Sequence, residues 1–174
     1  MTRDFLFRII KSNNAAAAAE MALVTPFLII LMFGSFELGN YFLSEHVVAK
    51  AVRDGARYAA RQSFTNFTCS PLHVDDAVQQ QTKNLTRTGQ IADGGQSRLV
   101  GWNDTPSEPT VTVEVVRCTD NRTADYLGVY KGMNDIPTIK VSAIVPYSSL
   151  FNNLGLISSN LNLVSESEAT VQGL

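Results

Sequence analysis

The stretch NNAAAAAEMALVTPFLIILMFGSFELGNYF, Asn13–Phe42, decides the architecture of this chain. Residues 21–36 carry no charged side chain. With the preceding alanines they form an apolar window of about 22 residues, broken only by Glu20, which as a helix would be about 33 Å long. Apolar side chains surround the whole circumference of this helix, whereas a soluble helix has one apolar stripe. We therefore predict a single transmembrane helix over residues 16–43.

A cleaved secretory signal peptide is the alternative, because Arg3, Arg8 and Lys11 form a basic N-terminal region. The apolar run is longer than an ordinary signal core, and no small-x-small cleavage motif follows it, which favours a retained anchor. Basic residues lie on both sides of the span, so a count of positive charges does not decide the orientation. The short basic tail and the cysteines later in the chain favour a cytoplasmic N-terminus.

Glu20 is a carboxylate at the edge of the apolar segment, where an unpaired charge is costly. As an interfacial residue it would lie at headgroup depth, stabilised by the helix dipole. As an intramembrane residue it would need a cationic partner, and cleavage before Ala16 would create an α-amine four residues away. Pro26 removes a backbone hydrogen bond inside the span and predicts a kink, which either serves a neighbouring helix or is tolerated without purpose.

Two motifs carry a resemblance to a known family. The run AAAAEMALVTP at residues 16–26 is followed by a leucine-rich segment, and RDGARYAA follows the span at residues 53–60. In order and spacing this region resembles TadE-like proteins, the minor pilins or pseudopilins of tight-adherence (Flp-type) pili. The resemblance implies a bacterial inner-membrane protein that crosses once, with a cytoplasmic N-terminus and a periplasmic head, and that can enter the extracellular pilus.

The same resemblance implies processing and partners. A prepilin peptidase would cut between Ala15 and Ala16, which makes Glu20 the fifth residue of the mature chain. The chain departs from the family pattern at two positions: Ala15 replaces the usual glycine, and Met21 replaces an aromatic residue. The implied partners are other pilins, the membrane platform of the pilus, the prepilin peptidase and the lipid bilayer. If the leader is not removed, the protein would remain an uncut anchor.

The sequence divides into four segments. We predict a basic cytoplasmic leader, a transmembrane helix, a periplasmic extension of that helix and a periplasmic α+β head, at residues 1–15, 16–43, 44–62 and 63–174. The extension has an apolar stripe at helical spacing, formed by Val48, Ala51, Val52, Ala56 and Ala59. Arg53, Arg57 and Arg61 follow each other at four-residue intervals along one edge, where they would be solvated or would contact lipid phosphates or an acidic partner.

The head is predicted to be a helix packed on an antiparallel sheet of three or four strands. Ser70 and Pro71 resemble an N-cap and first helical position, and Gly89 ends the helix. Its apolar period runs through Val74, Ala77, Val78, Thr82 and Leu85. Alternating segments then predict strands at residues 111–115, 139–145 and 161–171, with a short edge strand at 98–102. The predicted class is therefore α+β, with a long N-terminal helix.

The chain has two cysteines, Cys69 and Cys118, both in the polar part. An even number behind a membrane segment favours one disulfide in an oxidising compartment, while two free thiols in a reducing compartment are the alternative. A bridge would close a loop of about 50 residues and contribute about 4 kcal/mol in the chain-entropy model.

Residues 150–157 contain an apolar cluster, Leu150, Phe151, Leu154, Leu156 and Ile157, which we interpret as core or as a short closing helix, with a membrane or partner contact as the alternative. The acidic turns at 103–108, 120–125 and 134–135 lack EF-hand spacing, which argues against calcium.

The sequence contains no pattern typical of an enzyme or a cofactor protein. The two histidines, His46 and His73, have no companion at metal-ligand spacing, and no phosphate-binding loop or nucleophile motif occurs. The net charge of −2 gives no basic field for nucleic acid. We predict a structural pilus subunit without enzymatic activity, cofactor, metal or small-molecule substrate. The alternatives are a pseudopilin of another secretion apparatus and a membrane-anchored periplasmic binding module, whose pocket the head aromatics Trp102, Tyr126, Tyr130 and Tyr147 would line.

Overall fold

The computed structural model describes residues 13–103, 110–121, 128–151 and 161–173, with side chains from residue 16 onward. The chain divides into two compact units, Met1–Asn40 and Tyr41–Leu174. The helices are α1 (Asn13–Ala60) and α2 (Asp76–Thr88). The strands are β1 (Phe67–Cys69), β2 (Leu72–Val74), β3 (Val111–Asp120), β4 (Asp135–Pro146) and β5 (Asn162–Thr170). Short 3₁₀ turns lie at Phe64–Asn66 and Gly128–Tyr130.

The described part of the first unit is the N-terminal portion of α1. Every side chain from Ala16 to Met32 is exposed, although most of them are large and apolar. Within the described residues this is the one helix long and apolar enough to cross a membrane. The Thr25 hydroxyl donates to the Met21 carbonyl oxygen at 2.6 Å, so it needs no partner outside its own helix. These features indicate a membrane-anchored protein.

The second unit is built on a three-stranded antiparallel sheet in the order β3-β4-β5. The three predicted alternating segments are all strands, and their inward residues include Val113, Val141 and Leu163. The register between β3 and β4 shifts once, between Val115 and Arg117. The α+β class is confirmed: a long apolar helix precedes a second helix and two antiparallel sheets, the smaller of which is the β1-β2 hairpin.

The apolar stripe predicted along residues 44–62 forms part of the core of this unit. All five of its members are buried, and Val48, Ala51, Val52 and Ala59 have no exposed surface. They cluster with valines and isoleucine from the inner face of the sheet and with Trp102. Alanines and valines are small, so the helix backbone comes close to its neighbours.

Helix α1 approaches α2 closely at Gly55. A Cβ at this position would overlap Thr86 Oγ1 of α2 and would lie 3.4 Å from Thr86 Cβ and 3.6 Å from Thr82 Cγ2. Thr82 and Thr86 are fully buried, and their hydroxyls donate to the carbonyls of Val78 and Thr82, at 2.7 and 2.8 Å. Polar threonines can face the core here because their hydroxyls are satisfied within α2.

We expect Gly55→Ala to lower the free energy of unfolding by about 2 kcal/mol, because the overlap with Thr86 outweighs the helix-propensity gain of about 1 kcal/mol. Thermal unfolding of the full chain in detergent measures the effect. The double variant Gly55→Ala/Thr86→Ala should recover most of the loss. Gly39→Ala, whose Cβ meets nothing within 4 Å, is the matched control. A Gly55→Ala protein as stable as the parent would contradict this packing.

The start of α2 differs from the prediction. Ser70 and Pro71 are not its N-cap and first residue but the two-residue connection of the hairpin, in which Cys69 pairs with Leu72. The helix begins at Asp76, and the Asp75 carboxylate accepts a hydrogen bond from the Ala77 N–H at 2.9 Å. Asp75, five positions after Ser70, is therefore the N-cap, because Leu72–Val74 between them form β2.

The buried face of α2 also differs in part. Val78 and Thr82 are buried as predicted, but Ala77 is exposed and Asn84 and Thr86 are buried instead. The predicted end is correct, since Gly89 adopts φ +82° and its N–H donates to the Leu85 carbonyl at 2.8 Å.

The short edge strand predicted at residues 98–102 is wrong. The segment turns, with the Trp102 N–H donating to the Leu99 carbonyl at 3.3 Å and Gly101 at φ +81°. Glycine adopts this left-handed conformation without steric cost, which permits the turn. The turn places the Trp102 side chain in the core with no exposed surface.

Only part of the predicted apolar cluster after β4 is described. Leu150 is exposed and Phe151 is half-buried. The other members, Leu154, Leu156 and Ile157, lie outside the described residues.

Candidate functional site

The assembly carboxylate predicted from the sequence, Glu20, lies on the exposed surface of α1. Ala16 lies four residues earlier in the same helix, about 6 Å along its axis and on the same face. Glu20 is the only charged residue between Ala16 and Phe36. A positive charge at residue 16 would therefore be its local partner in an apolar environment.

The predicted processing site is the peptide bond between Ala15 and Ala16. Its backbone lies in the first turn of α1, while the Ala15 side chain and residues 1–12 of the leader lie outside what the structure describes. Cleavage there stays a prediction. The kink predicted at Pro26 also stays a prediction, and α1 is continuous in its helical assignment across this residue.

The arginines of the extension stand on the exposed side of α1, opposite the buried stripe. Arg53, Arg57 and Arg61 are all exposed, as is Lys50 one turn earlier. We call these four residues the basic ridge. None of them makes an ion pair within the described part of the chain. The sequence pattern included Lys50 as well, since its spacing from Arg53 and Arg57 is helical, but the prediction omitted it.

Contacts on either side hold this part of α1 in place. The Tyr58 hydroxyl donates to Gln81 Oε1 of α2 at 2.7 Å, and partial burial raises the pKa of Tyr58. Asp54 lies 3.7 Å from the Arg98 guanidinium, so this carboxylate is already paired. Within the described residues Asp54 makes its ion pair with Arg98 and none with the arginines of the basic ridge.

A surface hollow of about 400 Å³ adjoins the ridge. It is lined by Arg57, Ala60 and Arg61 at the end of α1 and by Ala169, Thr170 and Gln172 at the end of β5 and just after it. The Gln172 N–H donates to the Ala60 carbonyl at 2.7 Å and joins the chain after β5 to the end of α1. The hollow is open, which suits contact with a macromolecular surface better than capture of a small molecule.

The predicted pairing of Cys69 with Cys118 is present as a disulfide, with the two Cα atoms 5.9 Å apart. It joins the end of β1 to β3, across 49 positions of sequence. The chain has no other cysteine.

The described aromatic residues Trp102, Tyr130 and Tyr147 do not line a common pocket of the kind that a binding module would need. Trp102 is fully buried in the core, and Tyr147 is buried with its ring 5.2 Å from that of Tyr41 in an edge-on contact. Tyr130 contacts Phe64 at 6.2 Å. Tyr126 lies outside the described residues. Trp102, Tyr130 and Tyr147 therefore take part in separate packing contacts of the fold.

In the described parts of the chain, no three His, Cys, Asp or Glu side chains come together in a group that could bind a metal ion. Asp120 and Asp135 face each other at the start of the β3-β4 ladder. Most of the acidic turns at 103–108 and 120–125 lie outside the described residues.

One comparison with known protein families gives a match, and it concerns the N-terminal part of the chain. Residues 15–57 match the family model described as TadE-like protein. The TadE-like segment begins at Ala15, includes Glu20 and Pro26, and ends at Arg57 on the basic ridge. It supports the suspected family and links the protein in general terms to Tad/Flp pili and to pilus-related partners. No curated protein and no solved structure matches the chain.

Proposed function

We propose that this protein is a structural, non-enzymatic minor pilin or pseudopilin that contributes to the assembly of a tight-adherence pilus. The main support for this proposal is the TadE-like match over residues 15–57. Within this match, Glu20 follows Ala16 by about one helical turn. An exposed apolar helix that continues into a folded domain can lie in the membrane before assembly and among other apolar helices afterwards. The same surface would suit both environments.

The proposal includes the location of each part. The basic leader lies in the cytoplasm, the apolar part of α1 crosses the inner membrane once, and the head lies in the periplasm before entering the pilus. The Cys69–Cys118 disulfide supports this orientation, because such bonds form and persist in the oxidising periplasm. The proposed partners are other pilins, the membrane platform and a prepilin peptidase.

An in-frame deletion tests the function. We expect loss of surface pili, counted by electron microscopy, and loss of surface adherence, with both restored by the intact gene supplied in trans. Normal pilus number and adherence in the deletion strain would overturn the proposal. A strain without the prepilin peptidase is the reference, because it should accumulate the protein with its N-terminus at Met1.

A further inference from the structure

The charges of the second unit are unevenly divided between its helix and the rest of the head. Residues 41–62 contain four Lys or Arg and two Asp or Glu, a net charge of +2. Residues 63–174 contain seven Lys or Arg and eleven Asp or Glu, a net charge of −4. The helix and the remainder of the head are therefore of opposite sign, which favours contact between the helix of one copy and the head of another.

The basic ridge concentrates the positive charge on one accessible surface. Its members are exposed, and Lys50, Arg53 and Arg57 extend over about 10 Å of helix at 1.5 Å per residue, with Arg61 directly after the end of α1. Arg53 and Arg57 follow each other at a rise of about 6 Å. Arginine presents a planar fork that binds a carboxylate through two hydrogen bonds, so the ridge is suited to a row of carboxylates.

The outer face of the sheet carries such a row on β5. Glu166 and Glu168 are both exposed and point to the same side of the sheet, because they are two residues apart. Their spacing along the strand is about 6.7 Å, close to the rise of about 6 Å between Arg53 and Arg57. We call them the β5 carboxylate pair. Because β5 is an edge strand among the assigned strands, a helix can lie along the pair without obstruction from a further strand.

The cations near this pair do not fully neutralise it. Lys140 bonds Glu114 of β3 at 2.7 Å and lies opposite Glu168 in the β4-β5 ladder. The hydrogen bond from Lys140 to Glu114 raises the pKa of Lys140, and Glu166 and Glu168 raise it further. Arg117 lies 3.7 Å from Glu168, but both side chains are largely exposed, so the bond is weak. Glu166 makes no ion pair within the described residues. Together with Glu114 the pair contributes three negative charges against the two positive charges of Lys140 and Arg117, so this outer face keeps a net negative charge for a partner.

We propose that the basic ridge of one copy binds the β5 carboxylate pair of a second copy of this chain. The proposal rests on the proposed function as a pilus subunit, and names a partner for that role. Ridge and carboxylate pair are different surfaces of the same head, so each copy donates one and accepts with the other. Such a head-to-tail contact does not need to close and can extend along a filament.

Reciprocal charge reversal tests this contact in the full chain, solubilised in mild detergent and carrying either of two affinity tags. Co-purification of one tagged copy with the other measures association. Arg57→Glu/Arg61→Glu should reduce it about tenfold, and so should Glu166→Arg/Glu168→Arg, because each change turns attraction into repulsion. Raising the salt concentration from about 0.05 M to about 0.5 M should weaken the parent association as well.

A mixture of the two double variants distinguishes contact between copies from an effect within one copy. Each variant then meets a complementary surface on the other, so co-purification should return to within about twofold of the parent. Lys131→Glu changes an exposed lysine that belongs to neither the ridge nor the carboxylate pair; it is the control and should change nothing. Unchanged thermal unfolding of each variant shows that its head is folded.

Three results would overturn the proposal: parent-level association of either double variant, no recovery in the mixture, or loss confined to binding of phosphatidylglycerol vesicles by the arginine variant. The last would assign the ridge to lipid. None of these measurements uses pili, so they are independent of the deletion test. Association without a deletion phenotype would reject the pilus role alone, and a deletion phenotype without association would reject this contact alone.

Discussion

Replacing both cysteines with alanine should lower the free energy of unfolding of the head by about 4 kcal/mol, because the lost bridge releases a loop of about 50 residues in the unfolded chain. In a domain of this size we expect the unfolding midpoint to fall by roughly 15 °C. The hairpin should be the part that loosens first. Its strands have three residues each, which is too short for independent stability.

The hairpin also positions α2, which gives the bridge a wider effect. The Asp75 N–H donates to the Asn66 carbonyl at 2.8 Å, just before α2 begins. Loosening of β1 therefore reaches the helix whose threonines pack against Gly55. Both cysteines have to be replaced together, because a single change leaves a reactive thiol.

Thermal unfolding in detergent, with and without dithiothreitol, measures the effect. The reductant should lower the midpoint of the parent protein and leave that of Cys69→Ala/Cys118→Ala unchanged. A double variant that melts with the parent would show that the bridge adds no stability. Alkylation of the folded protein from membranes under non-reducing conditions provides a separate check, in which neither cysteine should be labelled.

Much of the fold could be predicted from periodicity. Three patterns were informative: the apolar run of the membrane helix, the buried stripe that includes Val48 and Ala51, and the three alternating segments. In each of them the same environment recurs at a fixed interval along one helix or strand, so a single irregular residue does not change the prediction. The cysteine pairing could be predicted because the chain offers only one possible intramolecular pair.

The incorrect predictions concern short segments whose sequence is compatible with two different local structures. Ser70-Pro71 suits a helix start and also suits a tight turn, and the choice depends on strands that are only three residues long. Thr86 looks like a solvent-facing residue, but its hydroxyl is satisfied by the helix and its side chain packs on Gly55. Local propensity does not contain these tertiary contacts.

The candidate site was only partly predictable. Arg53, Arg57 and Arg61 were singled out by their spacing, whereas the matching role of Glu166 and Glu168 depends on the strand order and on which face of the sheet is outward. The sequence contains both rows of charge, but their accessibility is a property of the fold.

Glu20→Gln should leave membrane insertion intact or improved and should reduce incorporation into pili by tenfold or more. The side chain keeps its shape but loses its charge, so its transfer into hydrocarbon becomes easier. After cleavage before Ala16, the new α-amine would lie in the apolar interior of the assembly. Without the carboxylate that amine is buried unpaired, and breaking a buried pair in this way typically costs 3–5 kcal/mol.

The measurement is the ratio of protein in the sheared pilus fraction to protein in the membrane fraction, by quantitative immunoblot. Glu20→Asp should retain part of the incorporation, because a shorter carboxylate still neutralises the amine. Glu45→Gln changes an exposed glutamate of α1 in the second unit and should have no effect. Unaltered membrane levels in all variants would locate the defect in assembly and not in insertion.

N-terminal sequencing of the same fractions separates the two roles of Glu20. An N-terminus at Ala16 in the pilus fraction supplies the amine that the pairing requires. An N-terminus at Met1 in both fractions would remove that amine, and Glu20 would then be an interfacial acid favoured by the helix dipole. In that case Glu20→Gln should not reduce incorporation into pili. The two measurements therefore have to agree: either the leader is cleaved and Glu20→Gln reduces incorporation, or the leader is intact and Glu20→Gln has no effect on incorporation.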